Sequence, residues 1–207
     1  MTERDQGFLS SLEEAAIAVG TSLDQGTVEA CLAHYRLLDR WNRRINLTRI
    51  IEPREAAERH WGESFFLAAK IDFQRGDRVA DLGSGPGFPG LPIALLRPDI
   101  QVTLIEAVSK KAVFLQEASR GLPNVQVLAH RAEEIDKPFC WTLSRAVALD
   151  EILDFGAARN SGTALLLGED EAERAVHDAR FEWQRPEKLP WGDRRVALVG
   201  RPSGENL

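Results

Sequence analysis

The stretch from Val79 to Gly90 (VADLGSGPGFPG) joins an apolar run to a turn dense in glycine and proline. Gly83, Gly85 and Gly87 follow Asp81 at alternate positions, and the next glycine is Gly90. Glycine suits places where the backbone takes a positive φ or comes close to a ligand, so the spacing suits a nucleoside-type cofactor. A tight turn of purely structural use would carry the same residues. Leu91 to Leu96 should form a helix whose N-terminal amides point at the ligand. Glu106 stands about twenty residues further on, at a strand end where a carboxylate can accept hydrogen bonds from both hydroxyls of a ribose. A solvated strand-end acid would look the same. The run His130-Arg131-Ala132-Glu133-Glu134 could read an adenine edge, or could start a helix with acids at its positive end. Arg145 closes another apolar run, and an arginine at the mouth of a sheet calls for an anion such as a cofactor carboxylate or an RNA phosphate.

These residues need a scaffold that brings strand ends together. Short β-branched runs predict strands over 78–82, 101–106, 125–129, 141–145, 164–167 and 196–200, with helices over 91–96, 110–120, 151–158 and 171–179. Such alternation is the signature of an α/β, Rossmann-like doubly wound sheet with helices on both faces. Before it, Phe8, Leu12, Ala15, Ala16 and Val19 repeat at helical spacing and stop at Gly20. Val28, Cys31, Leu32, Tyr35, Leu38 and Trp41 repeat again, with Gly26-Thr27 a plausible start. We therefore expect a helical extension over 1–72 packed on a core over 73–207, with the one loose joint near Asp72–Gly76.

A chain of 207 residues, 43% of them hydrophobic, can bury one substantial core. Cys31 and Cys140 are far apart, so they suggest neither a disulfide framework nor a metal cluster, and no metal is expected. No segment reaches the ~18 apolar residues a membrane span requires, and the charged N-terminus lacks a signal-like run. A cytoplasmic protein, independent of membranes and monomeric, is the expectation. The net charge of −6 argues against indiscriminate coating of nucleic acid. Between Arg36 and Arg59, however, seven arginines face four acids. Arg36, Arg40 and Arg43 share one face of the second helix, which is either solvated or in contact with phosphates.

The glycine spacing, with Asp81 before it, is closer to the loop of S-adenosylmethionine methyltransferases than to a dinucleotide fingerprint. Taken with Trp41-Asn42-Arg43-Arg44-Ile45-Asn46-Leu47-Thr48, Arg59-His60 and Ser144-Arg145-Ala146, the segment from Asp81 to Pro92 closely resembles the bacterial 16S ribosomal RNA guanine-N7 methyltransferases, the glucose-inhibited division protein B family. The resemblance runs over roughly residues 8 to 200 and implies a class I methyltransferase fold. It implies S-adenosyl-L-methionine as cofactor and 16S ribosomal RNA or the small ribosomal subunit as partner. By similarity Asp81, Gly83, Gly85 and Phe88 form the cofactor loop, Glu106 holds the ribose, and Ala132 and Glu133 meet the adenine. Arg145 and His60 fall at the catalytic mouth, with Arg145 also reaching the cofactor, and Asn46, Thr48 and Arg59 on the substrate side. Asn46 and Thr48 could equally tie the helical segment to the core.

Two positions depart from the family pattern. Leu167-Gly168 stands where a Lys-Gly pair ends the fifth strand, and Glu63 replaces an aspartate in the segment after His60. The alternatives are a methyltransferase acting on a small molecule or protein, and a ribosome-associated module without turnover.

Overall fold

A computed structural model describes residues 1–192 and 194–204. Helices α1 (Glu3–Ala18) and α2 (Gln25–Asn42) open the chain. Each begins where a side chain satisfies amides that the first turn leaves free. Thr2 and Asp5 bond reciprocally across the first turn of α1. Asp24 accepts the Thr27 amide at 2.6 Å, which starts α2 slightly before the predicted Gly26-Thr27. A further helical run comprises α3 (Pro53–Ala56), a wide π turn (Ala57–Gly62) and α4 (Glu63–Ala68).

The sheet contains β1 (Arg78–Leu82), β2 (Gln101–Ile105), β3 (Val125–Leu128), β4 (Trp141–Arg145), β5 (Gly162–Gly168), β6 (Phe181–Trp183), β7 (Glu187–Lys188) and β8 (Arg195–Pro202). Its order is β3-β2-β1-β4-β5-β8-β6, with β7 paired to β8. Strands β1 to β5 run parallel, whereas β8 is antiparallel to β5. Between the strands lie α5 (Gly90–Leu96), α6 (Ser109–Ala118), α7 (Leu149–Ala158) and α8 (Glu169–Ala175). The six predicted strands are present, but β6 and β7 escaped prediction. They are three and two residues long and expose Glu182, Glu187 and Lys188, so no apolar alternation marks them.

Period-2 alternation divides the core. Val79, Val102, Leu143 and Leu166 face Phe8, Leu38, Trp61, Phe88 and Phe114 from the N-terminal helices, the turn after β1 and α6. Ala80, Ile105, Leu165 and Leu198 face Ile152, Phe155 and Ala172 from α7 and α8. The segment at Asp72–Gly76 is stitched to its surroundings: the Gly76 amide donates to Asp99 O at 2.8 Å, and Arg97 Nη2 donates to Phe73 O at 3.1 Å. No helix among the described residues is long and apolar enough to cross a membrane.

Strand β1 has β2 on one side and β4 on the other, with Leu82 level with both Ile105 and Ser144. Strand order reverses there, so the C-terminal ends of β1, β2 and β4 open on one crevice. Ligands of doubly wound sheets bind at that switch point.

Candidate active site

The turn after β1 is shaped by its glycines. Gly83 has φ +67°, and a Cβ on it would stand 2.3 Å from Val147 Cγ2. Gly85 has φ +54°, which disfavours a side chain although the space beside it is open. Most amides of the turn are spent within the chain, and so are those that open α5, which were expected to point at the ligand. Ser84 N donates to Ile105 O (3.0 Å), Gly85 N to Glu106 Oε2 (2.9 Å), and Gly87 and Phe88 N to Ser84 O (2.7 and 3.1 Å). At the start of α5, Gly90 N donates to Asp81 Oδ2 (3.1 Å) and Leu91 N to Gly87 O (2.8 Å). The positive end of that helix is thus occupied by a carboxylate of the chain itself.

Beyond the turn lies a cavity of about 380 Å³, bounded by Leu82, Gly83, Glu106, Ala132, Glu133 and Val147. Glu106 is buried, and its Oε1 accepts the Val108 amide at 2.8 Å while Oε2 holds Gly85. One amide per oxygen leaves each with a further acceptor position, which suits a pair of ribose hydroxyls. Ala132 is buried in a short 3₁₀ turn (Ala132–Glu134), Glu133 is exposed, and His130 Nδ1 lies 2.8 Å from Glu134 Oε2. The predicted polar turn is therefore real, and it stops too soon to be a helix start. A larger groove of about 600 Å³ lies among α2, α5 and α6, lined by residues such as Ala33, Leu37, Leu91 and Leu95. No strand end reaches it, so the smaller cavity is the candidate cofactor site.

Behind the cavity the remaining candidates form a buried network. Arg145 Nη1 donates to Arg59 O at 2.8 Å, and Nη2 donates to His60 Nδ1 at 3.0 Å. His60 must then carry its proton on Nε2, which is 3.2 Å from both Ile50 O and Thr48 Oγ1. Burial and the Arg145 guanidinium hold the His60 pKa well below the ordinary histidine value, so the ring is neutral. It stacks on Phe88 with centroids 4.4 Å apart. His60 therefore orients Arg145 and exposes no face to solvent; the expected catalytic histidine is a support.

The anion that Arg145 was expected to require is supplied from within the chain. Glu63 is fully buried; Arg195 grips it with Nε and Nη2 at 2.9 and 2.8 Å, and Arg145 Nη1 lies 3.7 Å away. Arg59 Nε is 3.1 Å from Glu63 Oε1, but misaligned, so it contributes charge and no hydrogen bond. Burial pulls the Arg145 guanidinium down to about 10, with Glu63 opposing, and it stays charged at neutral pH. Arg195, opposite Gly168 in the β5–β8 ladder, projects to the Glu63 face of the sheet, whereas Leu167 packs into the core on the other face.

Other expectations also change. Asp81 and Phe88 lie behind the loop rather than on the cavity wall, both buried. Arg36, Arg40 and Arg43 are paired with Asp5 (2.9 Å), Glu117 (2.5 Å) and Asp39 (2.7 Å) and all three stay exposed, so the face is a solvated one laced with ion pairs. Asn42, not Asn46, ties the helical segment: its Oδ1 accepts the Leu47 and Thr48 amides at 2.8 and 2.9 Å. Thr48 joins His60, and Asn46 is exposed. Sequence reasoning missed Arg195 and the function of Glu63. The spacing of Arg59 and Glu63, one helical turn apart, was the available signal for the latter.

A glycine turn after the first strand, an acid after the second and a parallel sheet reversing at β1 define the class I methyltransferase fold. The solved 23S rRNA methyltransferase ErmE has this fold, with a TM-score of 0.54 and 18% identity over 67% of this chain and 66% of that one. The family model for rRNA small subunit methyltransferase G matches residues 27–190, and the chain belongs to that family. A relative from Xylella fastidiosa (strain M23), named ribosomal RNA small subunit methyltransferase G, is 46% identical over 132 residues, which are 63% of this chain and 61% of the relative. One of the same name from Xanthomonas campestris pv. campestris (strain B100) is 42% identical over 67% of this chain and 66% of its own length. The matched region thus spans about three fifths of the Xylella protein.

Proposed function

We propose that the chain transfers a methyl group from S-adenosyl-L-methionine to N7 of a guanine in 16S ribosomal RNA. The observation that carries the cofactor half is one cavity in which Glu106 and the positive-φ turn at Gly83 meet at the sheet's switch point. Glu106 would accept the ribose hydroxyls, with Ala132 and Glu133 beside the adenine and apolar Leu82 and Val147 along the nucleoside. When bound, the cofactor supplies a methyl group on a positively charged sulfur. Family membership supports the RNA half, since the curated relatives are named for the small-subunit RNA.

Guanine N7 carries a lone pair and has no proton to lose, so the reaction needs no general base. That agrees with His60, which is buried, neutral and committed at both nitrogens. The residues act instead by placement, a contribution that can reach about 7–11 kcal/mol of a barrier. Arg145, clamped by Arg59 O and His60, presents a fixed positive edge where β4 ends. In A-form RNA the N7 edge lies in a groove too deep and narrow for side chains, so the target guanine must come from an unpaired segment.

The test is transfer from methyl-labelled cofactor to unmodified 16S RNA and to small subunits, with the product nucleoside identified by mass spectrometry. We expect 7-methylguanosine at one site. Label found in neither substrate overturns the proposal, as does transfer indifferent to salt, since an RNA enzyme loses affinity as counterion release is suppressed.

A further inference from the structure

Among the described residues, four large hydrophobic side chains are strongly exposed, and two of them, Val108 (50%) and Val113 (51%), sit at the start and middle of α6. Scattered exposed apolar residues are ordinary, but Val113 lies in one cleft with Trp41 and Ile45, and a clustered apolar surface is a candidate contact. Val113 lies in a cleft of about 280 Å³ between α6 and the end of α2, together with Trp41, Ile45, Arg44 and Lys110. Lys110, Val113 and Glu117 are three and four residues apart, so they share the α6 face that looks at α2.

The charge of this cleft is one-sided. Its neighbouring acid, Glu117, is committed: Oε1 accepts from Arg40 at 2.5 Å and Oε2 from Trp41 Nε1 at 2.9 Å. Arg44 and Lys110 are exposed and form no ion pair among the described residues. An apolar floor edged by an indole and flanked by two unspent cations matches a planar base joined to phosphates. Helix α6, which lines the cleft, starts from the cofactor cavity, since the Val108 amide ahead of it is held by Glu106 on the cavity wall. From Val108 to Val113 is five residues of rise, roughly 7.5 Å.

Building on the function proposed above, we propose that this cleft seats an unpaired base of the RNA substrate near the target guanine, with the adjoining phosphates on Arg44 and Lys110. The seat reads strandedness rather than sequence, because it offers a stacking surface and point charges but no set of base-edge donors and acceptors. An acidic protein segment would find the cations but would not need the flat apolar floor.

The test uses the whole chain, an unstructured RNA oligonucleotide, the same strand carrying abasic sites, and 16S RNA. Arg44→Glu with Lys110→Glu should weaken oligonucleotide binding at least roughly tenfold and lower the log–log salt slope by about 1.4, or 0.7 per lost phosphate contact. Val113→Ser should weaken binding of the intact oligonucleotide but leave binding of the abasic strand unchanged. In methyl transfer both variants should raise KM for RNA while kcat and cofactor affinity stay at the wild-type value, and the unchanged cofactor affinity shows that they are folded. Unchanged oligonucleotide binding, or an equal effect of Val113→Ser on both strands, overturns the seat. So does lost activity on intact subunits with binding of naked RNA unaffected, which would mean a ribosomal protein occupies the cleft. Should wild-type protein methylate no RNA yet bind the oligonucleotide with the expected variant pattern, the proposed reaction falls and the seat stands.

Discussion

Two carboxylates close to the active site, Asp81 and Glu63, are equally inaccessible, both with no exposed surface, yet their surroundings are opposite. Asp81 has one well-defined partner, the Gly90 amide at 3.1 Å, and its Oδ1 is buried without any. Glu63 is ringed by the guanidinium groups of Arg195, Arg145 and Arg59. Burial pushes the Asp81 carboxyl up to about 7. The difference separates two ways of building a site. Under the cofactor turn, the acid serves backbone geometry, holding the start of α5 against β1. Under the proposed substrate side, the acid serves as counter-charge, keeping three cations together where they would otherwise repel.

Removing the counter-charge should have the largest effect. Glu63→Gln keeps the shape but leaves three part-buried arginines with no acid among them. Breaking a buried pair costs about 3–5 kcal/mol, and because the arginines keep some solvent we expect the lower end, about 3 kcal/mol, in a denaturant melt. A loss under 1 kcal/mol would mean the arginines are solvated independently. Next comes Gly90→Ala, which strikes the other acid: its Cβ would lie 2.6 Å from Asp81 Oδ2 and 2.7 Å from Leu104 Cδ2. Overpacking of this kind costs typically 1–3 kcal/mol, and displacement of the turn should weaken cofactor binding in calorimetry. Wild-type affinity in a folded Gly90→Ala protein would disconnect Asp81 from the turn. Smaller in stability is Arg145→Lys, since an ammonium keeps the charge near Glu63. It cannot span Arg59 O and His60 Nδ1 together, so kcat should fall by roughly 10²-fold, the cost of about 1 Å of misplacement. Undiminished kcat would remove Arg145 from the site.

The same comparison explains what the sequence could disclose. The turn at Gly83–Gly90, the strand running into Glu106 and the polar turn at Glu133 were legible because local rules govern them: positive φ demands glycine, and a short apolar run closed by polar residues marks a strand. The orientation of the amides that open α5 was misjudged, because Asp81 precedes the glycines by two residues and nothing in its position tells that its side chain folds forward onto α5. The Glu63 cluster was less legible still. Its members come from the π turn, α4, β4 and β8, with Glu63 and Arg195 132 residues apart in sequence, and only the antiparallel docking of β8 beside β5 brings them together. The partners of Arg36 and Arg40 were hidden for the same reason: Asp5 and Glu117 are 31 and 77 residues away.

The last test, Asp81→Asn, reads the comparison through proton linkage. In the unfolded chain the Asp81 carboxyl ionises near its ordinary value of 3.8, and in the folded protein only near 7. Between these values the folded state holds a proton that the unfolded state has released, so the group makes stability fall as pH rises from about 4 to about 7. Above 7 both states are ionised and the penalty is constant; below 4 both are protonated and it vanishes. An asparagine can accept the Gly90 amide with its Oδ1 and cannot ionise, so Asp81→Asn should remove this slope, and its stability relative to wild type should grow as pH rises through that window. Urea melts of both proteins at pH 5 and pH 8 measure the difference. A variant that tracks wild type at both pH values would show that Asp81 is already ionised in the folded protein at pH 5, which would erase the contrast with Glu63.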